Sequence, residues 1–133
     1  MRYLHTMIRV TDLEKSLHFY CEGLGFRQTS RQDYEKDRFS LVFLASGDDL
    51  ADGGARLPSL ELTYNWDTHA YVRGEAYGHV AFAVDSVAAV QARLQKHGYD
   101  LSWGPGKTPS GKTVMAFVDD PDGFEIELLE TIQ

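Results

Sequence analysis

Two histidines and two glutamates recur at matching places in the two halves of this 133-residue chain. His5 opens an apolar run that reaches Val10, and His79 opens one that reaches Val84. Later in each half a glutamate stands between aliphatics, as Leu60-Glu61-Leu62 and Ile126-Glu127-Leu128. The histidines lie 74 positions apart and the glutamates 66. His5 precedes the helix-ending Gly25 by twenty residues, and His79 precedes Gly98 by nineteen. Self-similarity of this kind marks a chain built from repeated supersecondary units. It points to an α+β fold of two tandem βαβββ modules, at about 1–70 and 76–133, within a single domain over 1–133.

The hydrophobic period locates the elements. Leu4–Val10, Arg38–Ala45 and Ser59–Trp66 read as strands in the first half. Thr11 or Asp12 offers a cap to a helix carrying Leu13, Leu17, Phe19, Tyr20 and Leu24, which Gly23 and Gly25 stop. In the second half His79–Val84, Tyr99–Trp103, Thr113–Val118 and Phe124–Leu129 read as strands. Asp85 or Ser86 caps a helix with Val87, Val90 and Leu94 on one side, ended by Gly98. Asp119–Gly123 (DDPDG) is a strong turn. The segments 46–58 and 104–112 have turn chemistry without period and read as loops.

Bulk composition removes several function classes. Apolar residues make up 43% and charged residues 25%, enough for a packed core. A net charge of −7, with no basic cluster longer than two, argues against a nucleic-acid or anionic-membrane surface. No apolar run approaches the ~20 residues of a membrane span. The lone Cys21 cannot form an internal disulfide, which fits a reducing, cytoplasmic setting.

Taken singly, a histidine opening a strand or a glutamate between aliphatics is an ordinary edge or surface residue. Recurrence of both types at both places is what makes His5, Glu61, His79 and Glu127 a candidate set. Strand neighbours point to opposite faces, so each glutamate leaves the face its aliphatic neighbours bury. Pairing the two modules' sheets would gather two imidazoles and two carboxylates. Such a set suits a borderline divalent cation with water in the remaining positions.

At these residues the sequence resembles glyoxalase I and, more broadly, the vicinal-oxygen-chelate superfamily. The likeness runs through LHTMIRV and DLEKSLHFY within 4–20, LELTYNW at 60–66, YGHVAFAVD at 77–85 and AFVDDPDGFEIELLE at 116–130. DPDG with an aromatic and IEL is common to the superfamily, whereas HTMIRV with ELTYNW is more specific to glyoxalase I. The resemblance implies sheets that pair into an incomplete barrel, and a homodimer whose sites lie at the interface. His5 and Glu61 of one subunit would there meet the partner's His79 and Glu127. It implies one divalent metal per site, Ni²⁺ first and Co²⁺ or Zn²⁺ as alternatives, held by His5, Glu61, His79 and Glu127. It assigns Arg9 and Asn65 to the glutamyl carboxylate of glutathione, with His79 and Lys107 completing the substrate-binding residues.

The implied reaction converts the methylglyoxal–glutathione hemithioacetal to S-lactoylglutathione by moving a proton from C1 to C2. A weak carbon acid needs a stabilised enediolate oxygen and an adjacent base. Glu127 is the expected base, with Glu61 its counterpart. Alternatives within the superfamily are a metal dioxygenase or thiol transferase, which use two histidines and one carboxylate, and a non-catalytic drug-binding member. Cys21, His18, His69, His97, Tyr64 and Trp66 carry no motif that separates function from packing, and GPGK is too short for a phosphate loop.

Overall fold

The computed structural model describes residues 1–53 and 57–130 and divides into two compact units. The first comprises Met1–Cys21 with Gly25–Val72, and the second Glu22–Leu24 with Arg73–Gln133. Among the described residues no helix is long and apolar enough to cross a membrane.

The first unit runs β1 (His5–Arg9), α1 (Leu13–Leu17), β2 (Arg27–Tyr34), β3 (Phe39–Ala45), α2 (Gly47–Asp52) and β4 (Ser59–Asn65). Its sheet has the order β1-β4-β3-β2, with β1 and β4 parallel and the other pairs antiparallel. The second unit runs β5 (His79–Val84), α3 (Val87–Lys96), β6 (Trp103–Lys107), β7 (Val114–Asp119) and β8 (Glu125–Glu130). Its order, β5-β8-β7-β6, repeats the first in both sequence and sense. The two βαβββ modules read from the sequence are therefore present.

Alternation along the strands sorts the core from the opposite face. Ile8, Leu60, Leu62, Val42 and Leu44 are buried in the first unit, and Ile126, Leu128, Ala116 and Val118 in the second. Fully burying each of the valines, leucines and isoleucines among them contributes about 1.5–3 kcal/mol. The helices add Leu13, Phe19 and Tyr20 in one unit, and Val87 and Leu94 in the other, where α3 lies against β7 and β8. Of the alternative caps, Asp12 and Ser86 are the ones used: their side chains accept from Lys15 N and Ala89 N.

Both helices end on a left-handed glycine, Gly25 with φ 81° and Gly98 with φ 90°. In the second unit Tyr99 N donates to Leu94 O and Gly98 N to Gln95 O, the two bonds of a Schellman end. After α1, His18–Gly23 is a π-helical turn, and Phe26 N reaches back to Tyr20 O across one more residue. A π-turn accommodates a single inserted residue. It absorbs the difference between the twenty-residue and nineteen-residue spacings. Gly23 is thus no helix stop but a point of close approach, where a Cβ would stand 3.2 Å from the Tyr99 ring.

Three local expectations are corrected, and one strand is added. Strand β2 was not legible: RQTSRQDY is polar on both faces, and its side chains are exposed until Tyr34, as suits an edge strand blunted by charge. The loop expected over 46–58 contains α2, held by its caps rather than by an apolar stripe. Ser46 Oγ accepts from Asp49 N and donates to Asp49 Oδ2, and Gly53 ends the helix at φ 69°. The part of that loop at 54–56 lies outside the described residues. The strand expected at Tyr99–Trp103 instead begins at Trp103 and runs through Gly104, Pro105 and Gly106 to Lys107, into the segment read as a flexible loop. Proline is admissible there because β6 is an edge strand.

Candidate metal centre

Register builds the same local arrangement twice. Met7 pairs with Glu61 across the parallel β1–β4 ladder, and Ala81 pairs with Glu127 across β5–β8. Each histidine, two residues earlier, therefore stands diagonally from its glutamate on the same face of its sheet. His5 Nε2 lies 2.9 Å from Glu61 Oε2, and His79 Nε2 lies 3.1 Å from Glu127 Oε2. The histidines are 39% and 40% exposed and the glutamates 12% and 16%. Each pair thus presents its imidazole outward over a partly sheltered carboxylate.

Phe43 and Phe117 complete the repeat. Phe43 pairs with Glu61 and Phe117 with Glu127. Each ring meets its histidine edge to face, at 5.4 Å for His5 and 5.6 Å for His79. The phenylalanines are 74 positions apart, the same spacing as the histidines, and that spacing is the signal by which the sequence could have yielded them. The pairs differ in one neighbour. Glu125 pairs with His79 and lies 3.7 Å from its Nδ1. The equivalent Ser59 turns its hydroxyl to Leu57 O instead.

The donor set fits a divalent cation. Cis donors at about 2.1 Å from an octahedral ion stand about 3 Å apart. Both His–Glu separations match that edge. Each unit taken by itself offers two such donors, and no group of three or more His, Cys, Asp or Glu side chains able to hold a metal was found among the described residues.

Arg9 and Asn65 share the His5–Glu61 face. Arg9 pairs with Thr63, and Asn65 follows two residues on along β4. Both stand four residues from the donor pair along their strands, about 13 Å at the strand rise. Asn65 Nδ2 donates to Tyr71 Oη at 2.9 Å. The chain beyond Asn65 is anchored by Thr68 N to Asn65 O, by Trp66 N to Arg38 O, and by Trp66 Nε1 to Ser40 Oγ. Arg38 grips Asp67 with two hydrogen bonds and lies over the Trp66 ring. The Arg38 guanidinium holds the Asp67 carboxyl below its ordinary range.

Lys107 is not brought to either pair. It ends β6, at the far edge of the sheet from β5, in register with Val114 and through it Glu130 and Val84. That row faces away from His79 and Glu127.

Comparison with known proteins gives this geometry its context. The family model described as "Glyoxalase/Bleomycin resistance protein/Dioxygenase superfamily" matches residues 2–128. A lactoylglutathione lyase of Neisseria meningitidis is 45% identical over 130 residues, covering 98% of this chain and 91% of that protein. The solved trypanothione-dependent glyoxalase I of Leishmania major is 43% identical with a TM-score of 0.77, over 97% of this chain and 86% of that one. Glyoxalase I from Zea mays superposes with a TM-score of 0.87 at 31% identity over 99% of this chain, which spans 45% of the maize chain's length. On the match to nearly its whole length, the chain belongs to the glyoxalase/bleomycin resistance protein/dioxygenase superfamily.

Proposed function

We infer that the protein is a lactoylglutathione lyase, which isomerises the hemithioacetal of methylglyoxal and glutathione to S-lactoylglutathione. The observation that carries the reading is the twice-built His–Glu pair at metal-edge spacing, with Arg9 and Asn65 on the same face as the first pair. The curated relatives bearing that name, from 39% to 45% identical, support it. His5, Glu61, His79 and Glu127 would hold the metal, with Ni²⁺ as the proposed ion. A divalent cation so held supplies Lewis-acid stabilisation of the enediolate oxygen, on the order of several kcal/mol.

The remaining steps fall to side chains. Glu127 removes the C1 proton and returns it to C2, and Glu61 stands as its counterpart on the other side of the substrate. Arg9 grips the glutamyl carboxylate bidentately, as a planar guanidinium does. A separation of about 13 Å from the donor pair suits an extended tripeptide arm lying along β1 and β4. Lys107 would reach the glycyl end only by bending round the end of β6. The single thiol of Cys21 suits a cytoplasmic protein.

We further propose a homodimer in which His5 and Glu61 of one protomer share a metal with the partner subunit's His79 and Glu127. Mixing His5→Ala and His79→Ala protomers tests this directly. In such a heterodimer one site carries both substitutions and the other is intact, so an exchanging mixture regains about a quarter of wild-type turnover. No recovery despite exchange overturns the shared site. The lyase reading itself is tested on metal-stripped protein with methylglyoxal and glutathione, following thioester absorbance as Ni²⁺, Co²⁺ or Zn²⁺ is restored. Absence of thioester with every metal overturns it.

A further inference from the structure

The Asn65–Tyr71 hydrogen bond has a use beyond holding a loop. The terminal torsion of an asparagine is broad, and an amide left to itself near a strand end presents either edge. Donation of one Nδ2 hydrogen to Tyr71 Oη removes that freedom. The second N–H and the carbonyl then project in fixed directions as a donor–acceptor fork. The loop that returns Tyr71 to Asn65 is itself pinned at Trp66, Asp67 and Thr68. Arg9 lies on the neighbouring strand of the same face, in register with Thr63.

A guanidinium beside a fixed amide fork complements a carboxylate and an ammonium on one carbon, the free end of an α-amino acid. We propose that Tyr71 is a positioning residue which sets the Asn65 amide for this end of the thiol, so that the enzyme selects γ-glutamyl thiols; the inference rests on the lyase reading above. Tyr71 touches no reacting atom, and its removal acts on recognition of the arm rather than on proton transfer.

The test uses the metal-loaded protein and two non-reacting ligands, S-hexylglutathione and S-hexylcysteinylglycine, which lacks the γ-glutamyl residue. Wild type is expected to bind the first more tightly. Tyr71→Phe should weaken S-hexylglutathione about tenfold, the scale of one hydrogen bond, and leave S-hexylcysteinylglycine unchanged. KM for the glutathione hemithioacetal should rise in parallel while kcat holds. In an Asn65→Ala background the same substitution should have no further effect, which also separates positioning from a general loss of structure. Equal weakening of both ligands by Tyr71→Phe, or of neither, overturns the inference alone. Failure of wild-type protein to discriminate between the ligands overturns the Arg9–Asn65 reading and the inference with it.

Discussion

The two units agree in their sheets and disagree in their ends. Strand order, register and the histidine, phenylalanine and glutamate of each face are the same in both. Strands β2 and β6 each carry a one-residue bulge, at Gln28/Ser30 in one and Trp103/Gly106 in the other. Beyond these rows the copies part. Arg9 has Ala83 as its counterpart, Met7 has Ala81, and Ser59 has Glu125. Among the described residues a π-turn follows α1 and none follows α3, and the first unit alone has a helix between its third and fourth strands. The lesson is a division of labour. Metal-type donors lie where the copies coincide, whereas the residues proposed to read the substrate lie where they diverge.

The sharpest test of that division compares the glutamates. Glu127→Gln should lower turnover by about 10²–10⁴-fold, the contribution of a general base, while metal binding measured by calorimetry weakens only partly. Glu61→Gln should cost less turnover for a similar loss of metal. Equal losses in turnover would make the two units chemically equivalent.

Next in size are the two cores. Phe19 on the π-turn and Leu94 on α3 are both fully buried. Phe19→Ala should destabilise by about 3–5 kcal/mol and Leu94→Ala by about 2–5, read from urea midpoints. A loss below about 1 kcal/mol at Phe19 would show that the inserted residue loosens the first unit.

A smaller effect belongs to the second unit's edge. Gly104 has φ 92°, and a Cβ there would sit 2.9 Å from Met115 O. Gly104→Ala should cost about 1–3 kcal/mol of stability, through strain in a region few side-chain-bearing residues adopt. A neutral result would mean that β6 is the mobile segment its composition suggests.

The least effect concerns acid. The Ser40 hydroxyl, which donates to Asp33 Oδ1 at 2.6 Å, and then Arg31 hold the Asp33 carboxyl below its ordinary range. In the second unit Asp100 is lowered by Gln91, Gln95 and the Leu101 N–H. A depressed carboxylate contributes stability above its unfolded pKa and loses it as pH falls through the folded one. Asp33→Asn and Asp100→Asn should each flatten the stability profile below the ordinary carboxylate range and leave its neutral limb of constant slope, as thermal melts across pH would show. Steeper acid denaturation in either variant contradicts the assignment.

Legibility followed burial. Strands whose alternation separates a buried face from the other, such as β4 with Leu60 and Leu62 inside, could be read from residues alone. Strand β2 could not, because both its faces are polar and its pairing to β3 is made by backbone bonds that any sequence supplies. Strand β6 was hidden by two glycines and a proline, and α2 by having caps without a stripe. The four donors were legible because they repeat. Phe43 and Phe117 repeat as faithfully but resemble core residues until register puts them beside the histidines. Tyr71 belongs to no motif, and its hydrogen bond to Asn65 is what marks it out.

The parallel pairing of first and last strands has a consequence for how the molecule forms. His5 and Glu61 are 56 residues apart, His79 and Glu127 48, and neither pair exists until the whole intervening unit has closed on itself. Long-range parallel pairing is among the slower events in folding. Each donor pair therefore depends on the first and last strands of its unit having met. Closure entropy grows only with the logarithm of length, so the eight extra residues before β4 delay that event very little.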